Sequence, residues 1–375
     1  MTFSLLAGGA ASPRAGVLEL PHGEIETPAF MPVGTKGTVK ALDVVDLAAL
    51  GPGMVLANTF HLWNTPGEAI VAAAGGLHAW TGWAGNMLTD SGGYQAVSLA
   101  RVGRATVGEE GVRFETQEGP RLLTPEGAVE VQEALSPDVM MVLDEPVPYG
   151  TGRLRAEEAM DRTHRWAVRC RDAWTRGPTQ LWGIVQGGFE AELRRKSATV
   201  LAELDLPGYA IGGLSLGEPG ESSTPLLATC TEILRRDRPR YLMGVGTERE
   251  MLAAIGVGVD LFDCVWPTRL ARTGAALVGP GRINLLSRRF SADASPLESG
   301  CECGTCRRHT RAQVRHLLRR GELLGYRLLT IHNLHHTLEL ARGARAAILD
   351  GRFDAFAHGR LVAAGAEGTG AGRPI

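Results

Sequence analysis

VMMVLDE (139–145) sets five apolar residues in a row and closes them with two carboxylates, Asp144 and Glu145. A short run of Val, Met and Leu without polar alternation suits a strand buried on both faces. The same form recurs on either side. MVLANT (54–59), NMLTDSGGYQ (86–95), LWGIVQGG (181–188), YAIGGLS (209–215), YLMGVG (241–246) and LFDC (261–264) each pass from an apolar stretch to a polar or glycine-rich tip. The tips carry Thr59, Asp90, Gln186, Gly212 with Gly213, Met243 and Asp263. Binding or catalytic side chains at the carboxyl ends of many successive parallel strands is the arrangement of a (β/α)8 TIM barrel.

Helical patterns fall between these runs. Glu157–Trp174 and Glu190–Leu204 repeat apolar residues at helical spacing. Another helix begins at Glu248, with Thr247 placed to cap it. Strand–turn–helix alternation over 139–264 predicts right-handed βαβ units and a parallel sheet. The pattern alone fits a closed barrel or an open doubly wound sheet, and the number of strand-like runs favours the barrel. Residues 284–336 break the rhythm, being rich in Arg and Cys. The expected organisation is therefore a barrel over 1–283, an inserted subdomain over 284–336 and a closing barrel helix over 337–364. The Gly-rich stretch 365–375 reads as a disordered tail.

A chain of 375 residues accommodates such a barrel plus an insertion. Hydrophobic content of 44% and charged content of 21% are ordinary for a globular chain. No apolar stretch is long enough to span a bilayer, and the first residues lack a signal-peptide pattern. The expectation is a cytoplasmic protein with no membrane association. The net charge of −2 excludes a polycation but not a local basic patch. Between Arg307 and Arg327 seven arginines face a single acid, Glu322. Alone, such a run reads as a solvated helix face.

Its neighbour changes that. Cys301, Cys303 and Cys306 form C-x-C-x-x-C, with histidines following at 332, 335 and 336. Three thiolates and one imidazole complete a tetrahedral zinc site with no open position, which makes the metal structural. The competing readings are a disulfide, disfavoured in a chain without a secretion signal, and an iron–sulfur cluster; ligand type and spacing favour zinc. The residues alone do not choose among the three histidines, which share one helical segment. Cys170, Cys230 and Cys264 read as buried small apolar residues.

Asp90, Asp144 and Asp263 stand at strand tips, where a single aspartate is more often a cap or turn residue. Converging on one barrel mouth they suggest more. Two carboxylates facing one sugar carbon can run a double displacement, and a third can bind the N–H edge of a base. Strand alternation turns Cys264 away from whatever Asp263 faces. Glycines at 92, 93, 187, 188, 212 and 213 let backbone approach a flat ligand. Tyr94 and Met243 suit either core packing or stacking on that ligand.

Taken together, LTDSGGYQ (88–95), VLDE (142–145), IVQGG (184–188), AIGGLSLGE (210–218), YLMGVGT (241–247), LFDCVWPTR (261–269) and the CxCxxC…H set resemble the bacterial queuine tRNA-ribosyltransferase (tRNA-guanine transglycosylase) family. NTFHLW (58–63) and SPLESGCECGTCRRHTRAQVRHLL (295–318) fit as well. The resemblance implies a pentosyltransferase that exchanges the wobble guanine of GUN-anticodon tRNAs for 7-aminomethyl-7-deazaguanine, in queuosine biosynthesis. It implies Asp263 as nucleophile and Asp90 as general acid/base. It implies base recognition by Asp144, Gln186, Gly213 and Leu214, with Ser91 and Gly92 nearby, and stacking by Tyr94 and Met243. Arg269 and Arg272 would hold the anticodon loop. Cys301, Cys303, Cys306 and His332 would bind one structural zinc per subunit of a homodimer. Leu216, where eukaryotic members carry glycine, would exclude the larger base queuine.

Pro146 and Trp266 depart from residues common in the family. A non-catalytic paralogue would lack Asp90 or Asp263. The archaeal relatives that act on the D-arm carry further C-terminal domains. A nucleoside hydrolase or retaining glycosidase would not need the Arg-rich cysteine insert. No P-loop or redox-cofactor motif is present.

Overall fold

The computed structural model describes residues 2–116, 119–215 and 223–366. Eight parallel strands run in chain order: β1 (Ala29–Pro32), β2 (Met54–Asn58), β3 (Asn86–Asp90), β4 (Val139–Met141), β5 (Gln180–Val185), β6 (Tyr209–Ile211), β7 (Arg240–Leu242) and β8 (Leu261–Cys264). From β2 to β8 each pairs with its sequence neighbour, and β8 returns to β1 with Asp263 opposite Met31. The ring closes at β1 and β2 through a parallel bridge between Val33 and Leu56, where Gly34 N–H donates to Leu56 O at 2.6 Å. The expected barrel is the observed fold. Every residue of β5 is buried, as the uninterrupted apolar run requires, because the packed interior covers one face and helices the other.

The expected helices form over Arg153–Ala173, Ala191–Glu203 and Glu248–Gly256, and Thr247 caps the last by accepting from Glu250 N–H. Two three-stranded antiparallel sheets were not anticipated, nor was the two-stranded hairpin that follows β8. One (Phe3–Ala7, Ala15–Leu20, Gly23–Thr27) lies at the amino-terminal end of the barrel. The other (Ala105–Val107, Val112–Thr116, Gly119–Leu123) is inserted between β3 and β4.

After β8 comes the helix Trp266–Arg272, a hairpin (Ala275–Val278, Gly281–Asn284) and the basic helix Arg311–Arg320. Ala271, Ala276, Leu285, Phe290, Leu297, Val314, Leu318, Leu328 and Leu329 form an apolar cluster here, distinct from the barrel core. The helix Leu323–Leu349 is continuous through residue 336, where a boundary was expected. It serves both bodies: His332 belongs to the cysteine cluster, while Leu334, Leu338 and Ala341 pack into the barrel core. The tail 365–375 falls almost wholly outside the described residues. No described helix is long and apolar enough to cross a membrane.

Candidate active site and metal centre

The barrel brings Asp90, Asp144 and Asp263 to the same end of the ring. Asp90 ends β3 and is held from β2, accepting from Asn58 Nδ2 at 2.5 Å and from Thr59 N–H at 3.0 Å. The Thr59 hydroxyl donates to the Asp90 main-chain carbonyl. Asp144 follows β4 and is 4% exposed. It accepts from Ser91 Oγ at 2.8 Å and from Gln186 Nε2 at 2.7 Å. Asp263, in β8, accepts from Tyr241 OH at 2.6 Å and Gly244 N–H at 2.7 Å, both at Oδ1. Among the described residues no hydrogen bond reaches its Oδ2.

Burial dominates the electrostatics. It pushes the Asp90 carboxyl up to about 7, against the Thr59 N–H that favours the charged form, and the charges of Asp263 and Asp144 push the same way as burial. Burial also raises Asp144 to about 6, opposed by hydrogen bonds from Ser91 and Gln186. Asp263 is raised by burial and lowered in part by Tyr241 and Gly244. A carboxyl poised near neutrality can give and take a proton at physiological pH. One with an unbonded oxygen can attack.

The glycines leave room for these groups. A β-carbon at Gly93 would lie 2.1 Å from Asp144 Oδ1, and one at Gly212 would lie 2.6 Å from Gln186 Nε2. Gly92 and Gly213 have φ of +84° and +77°, which L side chains rarely adopt. Gln186 Oε1 is buried without a hydrogen-bond partner among the described residues, a polar atom that a ligand can satisfy. Leu214 is 1% exposed. Tyr94 is 56% exposed and Met243 half-buried, both at the mouth. Cys264 Sγ accepts from Trp266 N–H, and burial raises its thiol to about 12. Arg269 and Arg272 are exposed on the helix that follows Asp263. Of the two departures, Pro146 is buried beside Glu145, and the Trp266 ring lies under the Arg282 guanidinium at 5.4 Å. Leu216 lies outside the described residues.

Asn58 and Tyr241 had been assigned no role, although both lie in stretches singled out above. The signal for Tyr241 was strand alternation, which puts it on the side of Met243. Glu145 is 2% exposed and bound by Arg155 and Arg162, a pairing between a strand tip and a helix that no local pattern announces.

The cysteine cluster is assembled as expected. His332 Nδ1 lies 3.6 Å from Cys301 Sγ, 3.6 Å from Cys303 Sγ and 3.4 Å from Cys306 Sγ. Tetrahedral bonds of about 2.3 Å to sulfur and about 2.05 Å to nitrogen put S···N edges at about 3.6 Å. The four side chains therefore fit one metal ion of that size. His332 Nε2 meets Leu277 O at 2.7 Å, which fixes Nδ1 as the inward atom. His336 faces Glu298 instead.

Comparison with known proteins agrees with this geometry. The family model described as queuine tRNA-ribosyltransferase matches residues 10–364. A queuine tRNA-ribosyltransferase of Thermus thermophilus is 51% identical over 93% of this chain and 90% of its own length. Relatives of the same name from Nitratidesulfovibrio vulgaris and Herpetosiphon aurantiacus are 48% and 46% identical, covering 94% and 92% of this chain and 94% and 88% of their own lengths. The chain belongs to the queuine tRNA-ribosyltransferase family.

Proposed function

We propose that this enzyme exchanges the wobble guanine of GUN-anticodon tRNAs for 7-aminomethyl-7-deazaguanine by double displacement. The observation that carries the reading is the contrast between two carboxylates at one mouth: Asp263 with an unbonded Oδ2, and Asp90 near neutrality. Asp263 Oδ2 attacks C1′ of the nucleotide. The glycosidic bond breaks, its electron pair leaves with guanine N9, and Asp90 manages the proton. The incoming base loses its N9 proton to Asp90 and attacks the same C1′, releasing Asp263. One glycosidic bond replaces another, so no energy source is consumed.

Asp144 and Gln186, with the Gly213 and Leu214 backbone, read the base edge. Ser91 holds Asp144, Gly92 and its neighbours give the base room, and Tyr94 and Met243 stack on its faces. Arg269 and Arg272 hold the RNA. Cys301, Cys303, Cys306 and His332 hold a structural zinc, whose closed ligand set leaves no position for substrate. We infer a homodimer through this C-terminal region.

The test is incubation with radiolabelled guanine and a GUN-anticodon tRNA. Incorporation at the wobble position is expected. Its absence, with release of free base from the RNA, would indicate a hydrolase instead.

A further inference from the structure

The site leaves one buried cation without an assigned task. Arg194, on the helix Ala191–Glu203, is 0% exposed. Its guanidinium bonds only main-chain carbonyls among the described residues. Nε donates to Gly188 O at 2.8 Å, and one terminal nitrogen donates to Val185 O at 3.0 Å and Gly212 O at 2.8 Å. The other terminal nitrogen, Nη2, has no hydrogen-bond partner among the described residues. A buried charge without a counter-charge is costly to keep, and burial lowers its pKa to about 10, which still leaves it charged at neutral pH.

The gripped carbonyls sit at the ends of β5 and β6, in the two turns that carry Gln186 and Gly213. Gly212 C=O and Gly213 N–H belong to one peptide unit, and in a trans peptide they point in opposite directions. A guanidinium pulling on Gly212 O from behind therefore aims the Gly213 N–H the other way. That N–H makes no hydrogen bond among the described residues. The charge also polarises the peptide it grips, which strengthens the free donor. Gly213 has no side chain to interfere: a β-carbon there would lie 2.7 Å from Gln186 Oε1 and 3.3 Å from Arg194 Nη2.

We propose that Arg194 is a positioning and specificity residue that aims and polarises the Gly212–Gly213 peptide toward the 6-carbonyl oxygen of the exchanged base. The inference rests on the base-exchange reading above and deepens it, by selecting bases with a strong acceptor at position 6. Lysine at 194 keeps the charge but cannot fork over three carbonyls. Methionine keeps the volume and removes charge and donors.

The experiment is steady-state exchange of radiolabelled guanine into a GUN-anticodon tRNA, with 6-thioguanine as competitor. That analogue keeps the N1–H and 2-amino group and replaces only the oxygen by a weak acceptor. The wild type should favour guanine about tenfold, the worth of one good hydrogen bond. Arg194→Lys and Arg194→Met should raise KM for guanine about tenfold, leave KM for tRNA within about twofold, and shrink the preference over 6-thioguanine. Variants with unchanged guanine KM and preference would overturn the proposal. So would parallel loss of both KM values with a lowered Tm, which would mark a structural role alone. A wild type without preference between the two bases would overturn it whether or not the variants fold. A wild type that incorporates no guanine would instead sink the exchange reading.

Discussion

The two ends of the barrel treat their aspartates in opposite ways. At the amino-terminal end, Asp260 is 0% exposed and clamped by Arg14, whose Nε reaches Oδ1 at 2.8 Å and whose Nη2 reaches Oδ2 at 2.5 Å; Arg240 N–H adds a third bond at 2.7 Å. Asp138, which precedes β4 at the same end, accepts from His22 Nδ1 and Met87 N–H, each at 2.7 Å, and faces His78 Nε2 at 3.2 Å. Burial pushes Asp138 up, but its partners together hold it below the usual carboxylate range. At the mouth, Asp90, Asp144 and Asp263 have only neutral donors among the described residues, and all are raised. One end pairs its charges and holds strands together, while the other leaves its carboxyls raised, which suits the proposed attack and proton transfer. The division matches the general behaviour of the fold.

The largest expected break comes at Asp263. Asp263→Asn should abolish exchange by about 10⁴-fold or more, as loss of a nucleophile commonly does, and should remove the RNA adduct that survives denaturation when no base is supplied. A variant that still traps RNA covalently would exclude Asp263 as nucleophile.

Asp90→Asn should slow exchange by about 10²–10⁴ while RNA binding persists. It also tests the contrast thermodynamically. A folded-state pKa raised from 3.8 to about 7 gives stability that is present below 3.8 and lost as pH climbs through 7. At pH 8 the charged carboxylate costs at most about 4 kcal/mol. The variant should therefore melt higher than wild type at pH 8, with the gap closing toward pH 4. A variant less stable than wild type at pH 8 contradicts the account.

Arg14→Met should do the converse. It leaves Asp260 buried and unpaired, at a cost of about 3–5 kcal/mol in urea unfolding. Turnover per folded molecule at 25 °C should stay within about twofold. A comparable loss of turnover would mean that the two ends are not separable.

The smallest effect belongs to Asp138. Its pKa is lowered, so its contribution is present above 3.8 and lost as pH falls through the folded value. Asp138→Asn should cost about 1–3 kcal/mol at pH 7, and the difference from wild type should narrow below pH 3.8. A pH-independent difference would remove the ionic part of the argument.

Much of this was legible in the sequence because parallel strands covered on both faces need unbroken apolar runs, and such runs announce their own ends. The tips Asp90, Asp144, Gln186 and Asp263 followed directly. The CxCxxC spacing announced the metal centre in the same local way, and only the histidine needed the family resemblance. What stayed hidden depends on register between strands distant in sequence. Nothing near Tyr241 says that its hydroxyl meets Asp263, and nothing near Arg194 says that it grips Gly212. The sheet after β3 did leave a signal: Val112 and Phe114 are buried while Arg113 and Glu115 are exposed. Its alternation differs from the barrel strands because one of its faces meets solvent.

The pairing of β8 with β1 has a consequence for the order of events during synthesis. The ring's first strand leaves the ribosome early and waits for its last, which brings Asp263 opposite Met31. Long-range closure of this kind comes late, because the loop entropy must be met before the contacts form. A nascent chain that stops before Leu261 holds Asp90 and Asp144 but has neither Asp263 nor a sealed ring. The third carboxylate of the mouth arrives only with the strand that seals the ring, so the set of aspartates is complete only when the vessel that holds it is shut.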